Sequence, residues 1–296
     1  MSDSKNIRNI SSHIGLIYAA AIWGSTFIIV KASLDNIDPV ILVGYRFTFA
    51  ALVLAGFLIY ERKPLFAQIG RGCVLGFFLW MLYVPQTIGL GYTTASNSAF
   101  ITGLFVAFVP LFSLLLFKKK PAIRDYLAVT ISLAGLWFLT GGLVNANLGD
   151  MLTLITAMTY GLHILLVDKY AKFGFDPYLM AFQQFLFVGV ASLIAGVVFQ
   201  LPFGIGTTET AIAVLFLALL PTLSAFVIQM VAQKIVPPVR VSLIFALEPV
   251  FAALFAWTVG GEEFSTYRAI GGLLIVAAMI VSAIPYRRFV LRRACM

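Results

Sequence analysis

From about residue 14 onward the chain alternates between long apolar runs and short polar joints. Ten runs stand out, over residues 14–34, 39–60, 70–91, 96–117, 123–142, 149–168, 177–200, 210–233, 239–259 and 266–286. Each is close to the ~20 residues that a helix needs to cross the hydrocarbon of a bilayer. Most are apolar on every face, as suits helices among lipid and other helices. Inside hydrocarbon each backbone amide needs an internal partner, so helices are the natural form for such runs. The pattern predicts an all-α membrane protein of ten transmembrane helices, multi-pass in the cell (inner) membrane. The first run follows Lys5 and Arg8 as in a signal peptide, but it is long and no small-residue cleavage site follows. It is expected to stay as a first span.

The joints set the orientation. With a cytoplasmic N-terminus, 17 of the 20 basic residues fall in inner segments, and the outer loops hold only Arg268 beside six acids, among them Asp35, Asp38, Asp150 and Glu263. Lys and Arg in short loops favour the cytoplasmic side, and here the alternation holds at every joint, so both termini are expected inside. Only 11% of residues are charged, against roughly 25% in soluble domains, which leaves no material for a water-soluble surface. The formal charge of +8 is scattered through the joints rather than gathered on one face, which argues against nucleic acid as a partner. Cys73 and Cys295 imply neither a disulfide framework nor a metal site, and no cofactor is expected.

The two halves resemble each other. Trp23-Gly24 is echoed by Tyr160-Gly161 137 residues later, Pro39 with Arg46-Phe47 by Pro177 with Gln184-Phe185 after 138, and Pro110-Leu111-Phe112 by Pro249-Val250-Phe251 after 139. Residues 14–142 and 149–286 therefore read as two five-helix repeats. Because five is odd, the second repeat enters the membrane with opposite polarity. Such inverted repeats can expose a central site to each side in turn.

At these motifs the sequence resembles the drug/metabolite transporter superfamily, in its ten-helix EamA-domain branch. The resembling stretches are Trp23-Gly24-Ser25-Thr26-Phe27, Tyr45-Arg46-Phe47, Thr94 to Ile101 leading to Pro110, Gly149-Asp150, Tyr160-Gly161, and Leu247 to Leu254 followed by Gly261-Glu262. They cover essentially residues 14–286. The resemblance implies export of metabolites, commonly amino acids, by alternating access around a central cavity. One position departs from the family: Tyr160 stands where a tryptophan is common, with His163 one turn on.

Ionisable groups inside spans are functional candidates by default. Arg46, seven residues past Pro39, carries a planar fork of donors suited to a substrate carboxylate, or serves as a structural arginine tied to carbonyls. Glu248 precedes Pro249, whose ring strips a carbonyl one turn back of its amide partner. It is the coupling candidate, with protons as the coupling ion, or else a helix-packing element. His163 is a substrate-binding candidate or a hydrogen-bonded packing residue, and Lys31 is expected to reach headgroups or Asp35. Cavities mix aromatic walls with a few polar groups, which adds Trp23, Tyr83, Asn97, Tyr160 and Gln184 as substrate-binding candidates. Thr26, Tyr45, Gln86, Gln183 and Gln229 share that character. Pro110 and Pro249 are hinge candidates.

The function expected is secondary transport of small metabolites, with export of amino acids or related compounds implied by the resemblance. Proton-coupled drug efflux or metabolite uptake is the alternative on the same fold, and a channel or membrane scaffold the alternative of another class. An enzyme is not expected: the chain has two histidines, one deep carboxylate and no GxSxG or HExxH string. The expected partners are a small-molecule substrate and the lipid bilayer, with the protein a monomer.

Overall fold

The computed structural model describes residues 2–140, 147–258 and 263–283, and the described residues are helical with short connections. The helices are α1 Ser2–Ser33, α2 Pro39–Tyr60, α3 Ile69–Leu90, α4 Ala95–Gly103, α5 Phe105–Leu115, α6 Ile123–Thr140 and α7 Leu148–Lys172. They continue as α8 Pro177–Val198, α9 Thr208–Leu217, α10 Ala225–Ala232, α11 Pro238–Phe245, α12 Glu248–Thr258 and α13 Thr266–Ala283, with a π-helical stretch Ala218–Ser224 joining α9 to α10. Among the described residues eight segments are long and apolar enough to cross a membrane: Asn9–Ser33, Pro39–Tyr60, Ile69–Leu90, Asn97–Leu115, Leu148–Lys172, Pro177–Val198, Thr208–Ala232 and Pro238–Phe255. This is a multi-pass membrane protein. The fourth, eighth and ninth runs of the sequence are each interrupted, and α6 and α13 are shorter helices of 18 residues each. Several residues of the tenth run, and the basic tail with Cys295, lie outside the described residues, as does Glu262.

Helix starts repeat one device. Asp38 caps α2 by accepting from the amides of Val40 and Ile41, with Pro39 at the first helical position. Asp176 caps α8 in the same way, accepting from Tyr178 and Leu179, with Pro177 next. The missing N–H of proline costs nothing at that position, and the carboxylate satisfies two amides otherwise left bare. Asp176 also accepts from Lys63 at 2.8 Å. Burial works against its charge, but the lysine and the two amides outweigh burial and hold the carboxyl below its ordinary range. At the opposite face a capping box of Asn147 and Asp150 starts α7. Asp150 there accepts from Thr93 at 2.6 Å. Lys31, an exposed side chain, donates to the carbonyls of Leu90 and Thr93 at and just past the end of α3, where unpaired helix carbonyls favour a cation.

Prolines inside helices have three different outcomes. Pro85 leaves α3 continuous. It removes the amide that the Met81 carbonyl would meet, and Thr159 of α7 donates to that carbonyl at 3.3 Å, while Thr156 donates to Leu82 at 2.9 Å. Pro221 lies in the π-helical stretch. Pro249 coincides with a break, since α11 ends at Phe245, the residue whose carbonyl Pro249 leaves without an amide. Pro110 follows the smaller interruption at Leu104.

Small residues set the closest crossings. The most extensive helix pairs are α6 with α13, α2 with α8, and α3 with α7. A methyl on Gly135 of α6 would lie 2.8 Å from the Gly271 carbonyl of α13, and one on Gly271 would press on the Leu139 backbone. Without a hydrophobic drive between helices in lipid, such close backbone contact is a main source of association. Outward, Leu52, Ile194, Ile212 and Leu273 are all more than half exposed, which makes a lipid-facing belt. Gly271→Leu is expected to lower stability by about 1–3 kcal/mol through overpacking, read as a lower melting temperature in detergent. Gly56→Leu is the control, because nothing lies within 4 Å of a side chain there. Equal melting of the two variants would refute the crossing.

Candidate functional site

The site grows out of the π-helical stretch. Pro221 has no N–H for the Leu217 carbonyl, and the Thr222 hydroxyl supplies the missing donor at 2.8 Å. The same hydroxyl oxygen accepts from Nε of Arg46 on α2. Arg46 also donates through Nη2 to the Tyr83 hydroxyl at 3.4 Å, and its guanidinium lies 4.7 Å from the Tyr83 ring centroid and 5.5 Å from that of Phe47. From α1, the Trp23 indole donates to the Pro221 carbonyl at 2.7 Å. A proline in the eighth run therefore anchors candidate residues of the first and second.

Gly24, beside Trp23, faces the break in the ninth run: a methyl there would sit 2.7 Å from the Glu248 carbonyl. Gly161, beside Tyr160, faces the fourth run in the same manner, with a methyl 3.0 Å from Cβ of Phe108 and 3.5 Å from the Val109 amide. Each glycine thus brings an aromatic-bearing helix against the residues just before an in-span proline. The two crossings differ in the residue before the proline, Glu248 in one and Val109 in the other, both of them buried.

Between these elements lies a small internal space of about 20 Å³, lined by Trp23, Thr26, Leu82, Tyr83 and Gln86 on one side and by Thr102, Tyr160, Phe226 and Glu248 on the other. That is room for about one water-sized sphere, far less than a metabolite needs. Its walls are largely rings. The Trp23 centroid is 5.1 Å from Phe226, 4.8 Å from Phe245 and 6.3 Å from Tyr160, and Tyr160 sits 4.5 Å from Phe105. Among the polar groups, Gln86 donates to Thr102 at 3.0 Å. The Glu248 carboxyl makes no hydrogen bond or ion pair among the described residues.

Of the residues singled out from sequence, Trp23, Tyr83, Tyr160 and Glu248 share this space, with Thr26 and Gln86. Arg46 stands directly behind Tyr83 and does not line it. His163 and Gln184 form a separate buried pair, Nε2 to Oε1 at 2.8 Å, on the far side of the Phe226 ring, and Gln184 turns its amide to the Met230 sulfur. Asn97 is in the first turn of α4, where its amide donates to the capping Thr94. Gln183 ties the joint before α3 through the carbonyls of Leu65 and Ala67, Gln229 bonds Gln233, and Tyr45 donates to Phe203. Pro110 and Pro249 both lie beside interrupted helices. Sequence reasoning passed over Thr222 and Phe226: one is an ordinary threonine, the other one of 27 phenylalanines, and only the in-span Pro221 beside them gave a signal.

The Thr222 link predicts a graded response. Thr222→Val removes both the donor to Leu217 and the acceptor for Arg46, and is expected to cost about 1–3 kcal/mol of stability. Thr222→Ser keeps both and should melt near the parent protein. A valine variant as stable as the serine variant would remove the anchor from the argument.

A model of the EamA-like transporter family matches this chain twice, over residues 10–141 and 147–284. An uncharacterized transporter of Archaeoglobus fulgidus is 33% identical over 279 residues, covering 94% of this chain and 87% of the relative. The uncharacterized inner membrane transporter YedA of Escherichia coli K12 is 26% identical over 283 residues, covering 90% and 88%. A Salmonella typhimurium protein named as a probable amino-acid metabolite efflux pump is 24% identical over 289 residues, covering 92% and 94%. A solved crystal structure shares the fold with a TM-score of 0.76, at 19% identity, over 92% of this chain and 96% of its own.

Proposed function

The chain belongs to the EamA-like transporter family, and from that premise we propose that it is a secondary transporter, exporting amino acids or related metabolites across the cell inner membrane. The closed space between Trp23, Tyr83, Tyr160 and Glu248 is its substrate site, held here in an occluded state. One observation carries this reading: a carboxyl and several aromatic rings from separate helices converge inside the membrane on a space too small for any solute. Alternating access supplies the opening. The relative named for amino-acid metabolite efflux supports the substrate class and direction, and the inner-membrane relative supports the location.

We read the chain further as ten spans in two inverted repeats, with α6 and α13 as the fifth and tenth. The double family match supports it, as do the two proline-capped starts at Asp38 and Asp176. Helix contacts add support, because they largely survive exchange of the halves. The pairs α3–α7 and α1–α10 change places, as do α5–α7 and α1–α12, while α6–α13 and α2–α8 map onto themselves. Glu248 is the group in the site able to carry a coupling proton.

Reconstituted protein preloaded with an amino-acid mixture should give a transient counterflow overshoot of labelled substrate; a channel or scaffold would give none. For topology, Lys120→Cys and Leu148→Cys flank α6 in a Cys73→Ser, Cys295→Ser background. An impermeant maleimide should label position 120 only from the cytoplasm and position 148 only from outside. Labelling of both from one side would mean that α6 does not cross, and the inverted repeat would fall with it.

A further inference from the structure

We infer that the site recognises its substrate by a protonated amine, seated on the Glu248 carboxylate within a cage of Trp23, Tyr83, Tyr160 and Phe226. This rests on the reading of that space as the substrate site and narrows what it accepts. The lining contains one carboxyl and no cation. The carboxyl has no partner among the described residues, and an unpaired charge in a low-dielectric setting is costly unless a counter-charge joins it.

The other polar groups of the lining are neutral. Gln86 spends one amide N–H on Thr102, which leaves its second N–H and its carbonyl oxygen. The Tyr83 hydroxyl oxygen accepts from Arg46 and keeps its own O–H, and among the described residues no hydrogen bond occupies the Tyr160 hydroxyl. Thr26 directs its hydroxyl to the Trp23 carbonyl, and the Trp23 N–H is engaged by Pro221. What faces the space is therefore one acid among neutral groups that can donate or accept, with no cation. The rings add to this, because aromatic faces attract cations at close range. A substrate carboxylate would instead meet a like charge at Glu248, with no cation in the lining to offset it. The nearest guanidinium, Arg46, is itself stacked on Tyr83, with Nε on Thr222 and Nη2 on the Tyr83 hydroxyl.

A matched series tests this on the full chain in detergent at neutral pH, read by thermal stabilisation and tryptophan fluorescence. Phenethylamine presents the ammonium alone, phenylalanine both charges, and 3-phenylpropanoate the carboxylate alone. The first two are expected to bind and the third not to. Glu248→Gln should weaken phenethylamine at least about tenfold, as loss of a charge-assisted contact would. Glu248→Asp, which keeps the charge, should retain part of the binding. Equal binding of 3-phenylpropanoate, an unchanged Glu248→Gln affinity or no binding by either amine would overturn the inference. If the glutamine variant fails to fold, the wild-type series decides alone. Amine binding without a counterflow overshoot would sink the transport reading and leave the amine site. An overshoot for carboxylates alone would do the reverse.

Discussion

A backbone carbonyl inside a bilayer has no water to turn to, and the architecture of this protein follows from how three prolines create such carbonyls. Each in-span proline removes the amide that would have met a carbonyl one turn back. In α3 the loss at Met81 is met by a threonine from α7. In the eighth run the loss at Leu217 is met by Thr222, whose oxygen then holds Arg46. In the ninth run the helix stops at Phe245 and restarts with Glu248. The groups recruited to mend the backbone are also the groups that build and brace the central space. Binding chemistry and backbone repair are here one network, which is why irregular backbone in membranes is found where it is buried or lines a cavity.

Electrostatics then separates Arg46 from Glu248. Arg46 is fully engaged: a hydroxyl, a phenol and two ring faces surround it, and its role in this conformation is to hold α2, α3 and the π-helical stretch together. Glu248 is the reverse case, a carboxyl at a helix restart with rings around it and no bonded partner among the described residues. A buried carboxyl without a partner is poor support for a fold, so its presence points to something that arrives and leaves.

Much of this was legible in the sequence. Length and apolarity located the runs, because a bilayer imposes both at once. Asp-Pro pairs marked two helix starts within a residue, since the cap and the fixed φ of proline act locally. Trp23, Tyr83, Tyr160 and Glu248 could be nominated as polar or ring-bearing residues in apolar surroundings, and they do meet. The fate of each proline was not legible: Pro85, Pro221 and Pro249 look alike in a string, and which of them bends, bulges or breaks its helix depends on hydroxyls brought from helices far away in the chain. The carbonyls that Lys31 meets, Leu90 and Thr93, were not legible for the same reason, since they lie 59 and 62 residues further along the chain. His163 was nominated one turn past Tyr160 and Gln184 as a polar group suited to a cavity wall, but they pair with each other and neither lines the space.

The two glycine crossings share a geometry but not a charge. Where α1 meets the ninth run the residue before the proline is an acid, and where α7 meets the fourth it is valine. An ionised side chain displaced through the whole membrane field does electrical work of about 2.3 kcal/mol for each 100 mV, and a valine does none. A shift of α12 with Glu248 charged is thus sensitive to voltage, whereas the matching shift of α5 is not. Neutralising that one carboxyl, by a proton or by a bound cation, removes the difference and lets both crossings move as electrically silent parts.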